Sequence, residues 1–209
     1  MIAQLLNQAV INGEENESDQ EVPNDRLNMI KYEARITEMI RPKVFLEKLS
    51  IQDGDLVKLD VPDFKDGRSG SFVHDFRFNE SVIIDKDSKR CLLYPLDRET
   101  VMPPIDLFDI LLKMSRNEYL PNMEVLEKKM RIVGSEMDSD EISEISPRIA
   151  EYCKGNNIYR MEPFVSGVYK RSVPVINESG KFAEMTGKDI VEYDIVNIEE
   201  ILSSEKKAN

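Results

Sequence analysis

The sequence has few of the residue types that build catalytic and metal sites. Its 209 residues include no tryptophan, two cysteines and one histidine, and those three side chains cannot supply the four ligands of a standard zinc site. The nine glycines are scattered, so the sequence has neither a glycine-rich phosphate-binding loop nor a Gly-x-Ser-x-Gly nucleophile motif. We therefore expect no metal ion, no cofactor and no catalytic residues.

A pair of side chains suited to nucleophilic catalysis is also missing. His74 and Asp75 are neighbours in a predicted strand, so they point to opposite faces and cannot pair with each other. Cys91 would need His74 across the sheet as its base, and an ordinary strand histidine is the simpler interpretation. Close carboxylate pairs arise by chance in a chain with 40 acidic residues. The prediction is a protein that is not an enzyme.

The sequence contains no hydrophobic run long enough to cross a membrane. The apolar opening, residues 1–11, is too short and contains Gln4, Asn7 and Gln8. It also lacks the basic start and the cleavage pattern of a signal peptide. The formal net charge of −12 disfavours nucleic acid and anionic membrane surfaces as partners.

Two segments precede the first predicted strand. Residues 1–26 contain the acidic run GEENESDQEVPND, which has almost no large apolar side chain and is typical of a disordered segment. Residues 27–49 place Leu27, Ile30 and Ala34 at roughly helical spacing. This spacing predicts an amphipathic helical linker.

From residue 55 the pattern changes to short runs rich in β-branched and aromatic residues, which are typical of strands. Four such runs follow one another: DLVKLDVPDF, SFVHDFRF, SVIIDKD and RCLLYPL. The polar stretch DKDSK between the last two suits a hairpin turn, so the runs predict consecutive antiparallel strands. Two later runs, EVLEKKMRIVG and NIYRMEPFV, predict further strands.

Two segments carry helix signals. In PPIDLFDILLKMSRN, Pro104 suits the first helical turn and Ile105 begins an apolar stripe. In SPRIAEYCKG, Ser146 suits the N-cap, Pro147 the first helical position, and Gly155 the residue past the end. Near the C terminus, VEYDIVNIEEIL fits a strand or a helix. Together the patterns predict an α+β domain with a mainly antiparallel sheet covered by helices.

The cysteines and two further signals depend on the cellular compartment. Cys91 and Cys153 fit either a disulfide in an oxidising lumen or two unrelated thiols in the cytosol. Three Asn-x-Ser sequons occur, one of them at Asn79, and they matter only in the secretory pathway. Lys170 and Arg171 form a dibasic site, for which spacing alone favours two surface cations.

Ordered motifs across much of the chain resemble one known family. The stretch that contains SFVHDFRF, RCLLYPL, VMPP, LFDILLKM and YLP closely resembles the BRICHOS domain of the integral membrane protein 2 (Bri) family. Upstream, KLDVPDF resembles the segment that leads into this domain. Downstream, SPRIAEYCKGNNIYRME resembles the family's second helix with its cysteine. The likeness covers roughly residues 45–171.

The resemblance implies a fold and two marker features. BRICHOS domains have a mainly antiparallel five-stranded sheet flanked by two helices, which here would occupy residues 50–171. Residues 172–209 would be a C-terminal tail that resembles a propeptide. The family's disulfide maps to Cys91–Cys153 and would stabilise the fold by roughly 4 kcal/mol. The family's characteristic aspartate maps to Asp75.

The resemblance also implies a function and a location. Family members are secretory-pathway proproteins of the ER, Golgi and cell surface, anchored by one amino-terminal span in type II orientation. Their domain acts as a chaperone for β-prone polypeptides, including amyloid-like clients and the precursor's own carboxy-terminal segment. The expected partners are such clients, amyloid precursor protein, a furin-like convertase that cleaves at Lys170–Arg171, and further copies of the chain as a homo-oligomer. The alternative is a precursor of a secreted signalling peptide, residues 172–209, with the domain as its folding carrier.

Three features depart from the family pattern. The chain shows no membrane span, and residues 172–209 contain no cysteine pair. Asp97 stands where the family's usual glycosylation sequon lies, so Asn79 is the candidate substitute site.

Two hypotheses about mechanism follow from the resemblance. Apolar side chains flank Asp75 in the sequence: Phe72, Val73, Phe76 and Phe78. Burial among them should raise the pKa of Asp75 and make it a pH-sensing carboxylate. Client capture should occur by β-augmentation at a sheet edge, over an apolar face that is uncovered when the helix Ile105–Met114 moves.

Overall fold

The computed structural model describes residues 30–37, 44–63, 67–115, 118–119, 124–165 and 180–201. The strands in these residues, in chain order, are β1 Ile30–Thr37, β2 Val44–Gln52, β3 Leu56–Val61, β4 Gly70–Asp75, β5 Glu80–Asp85, β6 Arg90–Pro95, β7 Val125–Met137, β8 Asn157–Pro163, β9 Lys181–Met185 and β10 Ile190–Ile195. The helices are α1 Pro104–Ser115, α2 Ser139–Ile145 and α3 Pro147–Tyr152.

All ten strands belong to one mixed sheet in the order β1-β2-β3-β4-β5-β6-β8-β7-β10-β9. The strands β1 to β6 pair antiparallel with their neighbours in sequence. Parallel pairing occurs twice, between β6 and β8 and between β7 and β10. The first half of the sheet thus pairs strands that are neighbours in sequence, whereas the parallel pairs of the second half need connections that cross over.

The sheet curls so that its last strand returns to the middle of the sheet. The backbone N–H of Arg68, just before β4, donates to the carbonyl of Lys181 in β9 over 2.9 Å. The ring of Phe182 lies so close to Gly70 that a Cβ at this glycine would be 3.1 Å from the ring. The hairpin β9–β10 therefore lies against the start of β4, although β9 ends the strand order.

Two apolar clusters lie on opposite faces of the curled sheet. The inner face, inside the curl, carries the larger cluster, which includes Phe72, Leu92, Met161, Phe182 and Tyr193. The outer face carries a smaller cluster, covered by α2 and α3, which includes Val73, Val82, Leu93, Ile142 and Ile149. Each central strand therefore contributes alternate residues to the two clusters, as the two-residue period of a strand requires.

Several local predictions are confirmed. The four runs after residue 55 form β3 to β6, with a turn between β5 and β6. The helix α1 begins at Pro104, and Ser146 caps α3 by accepting a hydrogen bond from the backbone N–H of Ile149. The predicted apolar stripe of α1 is wrong at its start, because Ile105 is 77% exposed and Leu107 is the buried residue.

The predicted fold class, a mainly antiparallel five-stranded sheet flanked by two helices, is wrong. In the part of the chain that the structure describes, the sheet has ten strands, and α2 and α3 cover one part of one face. The amphipathic helix predicted for residues 27–49 is also wrong, because β1 pairs with β2 there over eight residues. Ile30, Tyr32, Ala34 and Ile36 recur every two residues, and this period suits a strand as well as their spacing suits a helix.

The predicted fold class also separated a C-terminal tail from the sheet. That separation is wrong for the tail residues that the structure describes. Residues 181–195 form β9 and β10 within the same sheet as the rest of the chain. The ambiguous run VEYDIVNIEEIL becomes the strand β10 and then a helical turn at residues 198–201. The predicted disordered segment, residues 1–26, lies outside the described residues.

Candidate functional site

The end of β4 places two polar residues on opposite faces of the sheet. His74 and Asp75 are both buried, with 2% and 0% of their surface exposed. Because adjacent strand side chains alternate, Asp75 faces α3 on the outer face and His74 faces the C-terminal hairpin on the inner face. Each residue therefore anchors a different segment to the same strand.

On the outer face, Asp75 binds the first turn of α3. Its Oδ2 accepts hydrogen bonds from Ser146 Oγ at 2.8 Å and from Arg148 Nε at 3.0 Å, and its Oδ1 is ion-paired with Arg148 Nη2. The backbone N–H groups of Arg77 and Phe78 donate to Oδ1 at 3.0 and 3.2 Å. The carboxylate is thus bonded on both oxygens, as a buried charge requires.

These contacts correct the predicted pKa of Asp75. Burial alone raises it, as the sequence suggested. The hydrogen bonds from Arg148, Ser146 and the Phe78 N–H, with the charge of Arg148, outweigh burial and hold the pKa of Asp75 below its ordinary value. The predicted raised pKa is wrong, because the guanidinium that stabilises the charged form comes from 73 residues further along the chain.

A disulfide joins Cys91 in β6 to Cys153 at the end of α3, with an S–S distance of 2.10 Å and a Cα–Cα distance of 5.9 Å. This is the pairing that the family resemblance implied. Both cysteines are buried in the outer cluster. The helix α3 is therefore attached to the sheet at both ends, by Asp75 at its start and by the disulfide at its end.

On the inner face, His74 links two other segments through its two ring nitrogens. Nδ1 lies 2.9 Å from Ser81 Oγ in the neighbouring strand β5. Nε2 lies 2.7 Å from Glu184 Oε2 in β9. The other oxygen of Glu184 accepts a hydrogen bond of 2.8 Å from the hydroxyl of Tyr193 in β10. All four side chains are at most 2% exposed, so the cluster joins the domain to its C-terminal hairpin inside the core.

Aromatic rings surround the polar cluster of His74, Ser81, Glu184 and Tyr193. Tyr193 lies 5.5 Å from Tyr94 and 5.9 Å from Phe72 between ring centroids. Burial, and after it the nearby Glu184 carboxylate, raises the pKa of both Tyr94 and Tyr193 well above the ordinary value of 10. Both phenols therefore stay neutral and can donate hydrogen bonds at physiological pH.

The residue types Ser81, His74 and Glu184 match those of a hydrolase triad, but their placement does not suit that chemistry. The hydroxyl-bearing Ser81 is 0% exposed and sits directly opposite His74 in the β4–β5 ladder. A substrate carbonyl cannot reach a hydroxyl that is enclosed between two central strands. The arrangement instead binds a carboxylate, because His74 presents one ring nitrogen to each partner.

The remaining predicted site residues lie elsewhere. Asn79 is exposed in the turn between β4 and β5, with a φ of 59°, and its Oδ1 accepts from Arg98 Nε at 2.6 Å. Lys170 and Arg171 lie outside the described residues. Among the residues that the structure describes, no group of three His, Cys, Asp or Glu side chains is placed to hold a metal ion.

Six residues of these clusters were not predicted as site residues: His74, Ser81, Ser146, Arg148, Glu184 and Tyr193. The sequence marked Ser146 only as a helix cap. Tyr193 belongs to the run VEYDIVNIEEIL, for which the pattern left strand and helix open, and Glu184 lies before this run, in KFAEM.

Comparison with known proteins finds similarity to one domain family and to one group of relatives. A family model for the BRICHOS domain matches residues 66–160. Integral membrane protein 2C of Rattus norvegicus and that of Mus musculus are each 24% identical to this chain over 136 residues, and that of Homo sapiens is 23% identical over 136 residues. The aligned part covers 63% of this chain and 49% or 50% of these relatives. The chain thus spans about half the length of the curated relatives it matches.

No solved structure matches the chain. Among the helices of the described residues, none is both long and apolar enough to cross a membrane. The two kinds of match confirm the resemblance that the motifs predicted: residues 66–160 match the family model of the BRICHOS domain, and the similar curated proteins are named integral membrane protein 2C.

Proposed function

We propose that this protein is a BRICHOS-type chaperone that holds the hairpin β9–β10, part of its own C-terminal segment, as a built-in β-strand client. The observation that carries this proposal is the position of the hairpin. It supplies the last two strands of the sheet, and its side chains Phe182 and Tyr193 are 0% and 2% exposed in the inner cluster. An element bound in this way is a client by β-augmentation.

The contacts of the hairpin are those of an added strand. β10 pairs parallel with β7 over six residues, from Ile190 opposite Val125 to Ile195 opposite Met130. Beyond β10, the side-chain amide of Asn197 bonds both the N–H and the C=O of Ile132, each at 2.9 Å. Main-chain bonds of this kind depend little on sequence, so the same edge of β7 suits other β-prone segments, including amyloid-like clients.

The family and the disulfide support a secretory-pathway location. Structural disulfides form and persist in oxidising compartments, and Cys91–Cys153 is buried in the core. We propose a membrane-anchored proprotein of the ER, Golgi and cell surface, with Asn79 as a glycosylation site and amyloid precursor protein among its clients. Since Ser81 of the Asn79 sequon is fully buried, glycosylation has to precede folding of β5.

Convertase cleavage after Arg171 forms part of this proposal. The cut would separate residues 172–209 covalently, but β9 and β10 would remain paired with the sheet through their main-chain bonds. Cleavage alone is then insufficient for release, and the product is a two-part complex. The alternative, a secreted signalling peptide from residues 172–209, stays a prediction, which a receptor response to the synthetic peptide would support.

The test compares three forms of the full chain as suppressors of an amyloid-forming peptide at substoichiometric amounts. The first is intact. The second is cut at a specific protease site introduced over residues 170–171 and freed of its C-terminal segment in mild denaturant. The third carries Lys129→Cys and Asp194→Cys, two facing positions of β7 and β10, so that a disulfide locks the hairpin in place.

The emptied chain should delay fibril formation most, and the locked chain least, because only the former exposes the β7 edge. Reduction of the engineered disulfide should return the locked chain to the activity of the intact chain. Equal fibril growth with all three forms and without protein would contradict the proposed function.

A further inference from the structure

We propose that His74 and Ser81 form a carboxylate-recognition site on the inner face of the sheet, which selects β-hairpins with an inward-pointing acidic residue two positions after an aromatic residue. In this chain the selected residues are Glu184 and Phe182. The inference rests on the proposed function, since it names the chemical class of client that the same surface accepts.

The first argument is the environment of Glu184. It is 1% exposed within an otherwise apolar face, and a carboxylate buried there is strongly unfavourable unless it is hydrogen-bonded on both oxygens. The hairpin itself satisfies only one oxygen, through the hydroxyl of Tyr193. The second oxygen depends on His74 of the domain, at 2.7 Å. The hairpin therefore carries an incomplete carboxylate site that docking against β4 completes.

The second argument is the orientation of His74. Its Nδ1 is engaged by Ser81 at 2.9 Å, which fixes the ring so that Nε2 points at the incoming strand. A hydrogen bond at one ring nitrogen sets both the orientation and the tautomer of an imidazole. Ser81 is opposite His74 in the β4–β5 ladder, so the two residues are already aligned before any client strand binds.

The third argument is a pocket for an aromatic ring on the same strand. Gly70 and His74 both lie on the inner face of β4, and the ring of Phe182 occupies the space where a Cβ of residue 70 would point. Phe182 thus contacts Gly70, and Glu184 contacts His74. Because Phe182 and Glu184 are two residues apart in β9, a client strand is recognised by an aromatic ring and a carboxylate at that spacing.

The fourth argument is that the His74–Glu184 pair makes binding selective among client hairpins. A buried polar pair is usually no more stabilising than an apolar pair of the same shape, but an unmatched partner leaves one group without hydrogen bonds. A client with leucine at the position of Glu184 would leave His74 unsatisfied. A client with glutamate at any other inward position would bury a carboxylate with no partner. The site therefore discriminates among apolar hairpins that main-chain pairing alone would accept.

The experiment uses the full chain carrying the specific protease site over residues 170–171, cut but otherwise wild type. A fluorescent peptide of residues 180–201 is exchanged into the complex in mild denaturant, and unlabelled peptides compete with it. The competitors are the wild-type peptide, Glu184→Gln, and the matched control Glu192→Gln. The control changes a half-buried glutamate of the same hairpin that lies between the inward residues Val191 and Tyr193.

We expect the wild-type and Glu192→Gln peptides to compete equally. Glu184→Gln should compete at least about tenfold more weakly, because the amide has no charge and offers only one accepting oxygen where the carboxylate offers two. A reversed preference should follow in a His74→Leu chain, which should bind a Glu184→Leu peptide more tightly than the wild-type peptide. If the His74→Leu chain does not fold, the comparison of the Glu184→Gln and Glu192→Gln peptides on the wild-type chain still tests whether the carboxylate is recognised.

Two outcomes would overturn the inference, and they differ in what else they affect. If Glu184→Gln competes as well as Glu192→Gln, the carboxylate is not recognised, although the proposed function stands. If the labelled wild-type peptide never enters the complex and the cut segment leaves at once, the hairpin is not a client, and the proposed function fails as well.

Discussion

His74 Nε2 lies 2.7 Å from Glu184 Oε2, across 110 residues of sequence. The neighbouring residue, Asp75, is ion-paired with Arg148 on the opposite face of the sheet. Two adjacent residues of β4 thus connect the C-terminal hairpin to one face of the sheet and the helix α3 to the other. A displacement of the end of β4 would disturb both contacts, because they come from adjacent residues of one strand.

The lowered pKa of Asp75 predicts how Asp75→Asn will behave with pH. A carboxylate whose folded pKa is depressed stabilises the fold above its unfolded pKa, near 3.8, and this stabilisation is lost as the pH falls through the folded value. We expect Asp75→Asn to cost roughly 3 kcal/mol at pH 7, with an equal cost at pH 5 and a smaller one below pH 4. Urea unfolding at each pH measures this difference.

The control for Asp75 is Asp109→Asn, which removes an exposed ion pair with Lys113 and should change the free energy of unfolding little at any pH. A cost of Asp75→Asn that changes between pH 5 and pH 7 would contradict the lowered pKa and support a pH-sensing role in that interval.

The disulfide predicts a loss of stability on reduction. Its cysteines are 62 residues apart, and closing a loop of this size contributes roughly 4 kcal/mol in the chain-entropy model. The variant Cys91→Ser/Cys153→Ser should show this loss in urea unfolding, and reductant should have no further effect on it. A reductant effect of the same size on the wild type and on the double variant would show that the disulfide is not its cause.

The turn between β9 and β10 predicts a steric effect at Gly187. A Cβ there would lie 2.6 Å from Met102 Sδ and 2.9 Å from Leu107 Cδ1, at a φ of 93°. We expect Gly187→Ala to destabilise the protein by about 2 kcal/mol more than Gly155→Ala. Gly155 also has a positive φ, of 77°, but open space around it.

Hydrogen exchange should locate the effect of Gly187→Ala. Amide protection should fall first in the hairpin β9–β10 and less in β4 to β6, since the clash lies between the hairpin turn and the start of α1. Equal destabilisation by the two glycine variants would mean that the turn does not pack against α1 in solution.

The ion pair between Asp97 and Lys128 predicts that the pKa of Asp97 depends on this lysine. Burial works in the opposite direction, but hydrogen bonds from Lys128 and Thr100 lower the pKa of Asp97 to about 2. Lys128→Met should raise the pKa of Asp97 toward its ordinary value of 3.8. Carboxyl NMR titration measures the change. Lys154→Met, which removes a separate exposed pair with Glu151, should leave the titration of Asp97 unchanged.

The sequence predicted the elements whose signals are local. β3 to β6 are short apolar runs joined by tight turns, and α3 begins with Ser146 and Pro147, so neighbouring residues carry enough information. The interpretation failed for β1, where one set of apolar residues satisfied both a helical and a strand spacing. It failed again for the pKa of Asp75, because burial is visible from flanking phenylalanines whereas Arg148 is not.

The sequence by itself determined the resemblance to the BRICHOS domain, the strands β3 to β6, the capped helix α3 and the two cysteines that the resemblance paired. These depend on motifs and on contacts between neighbours in the chain. Only the tertiary structure decided that the sheet has ten strands, that Asp75 is held ionised and that Glu184 is buried against His74. The physical reason is that curling of the sheet brings β9 back to β4 across more than a hundred residues. No local pattern encodes which strand edge a distant hairpin will complete.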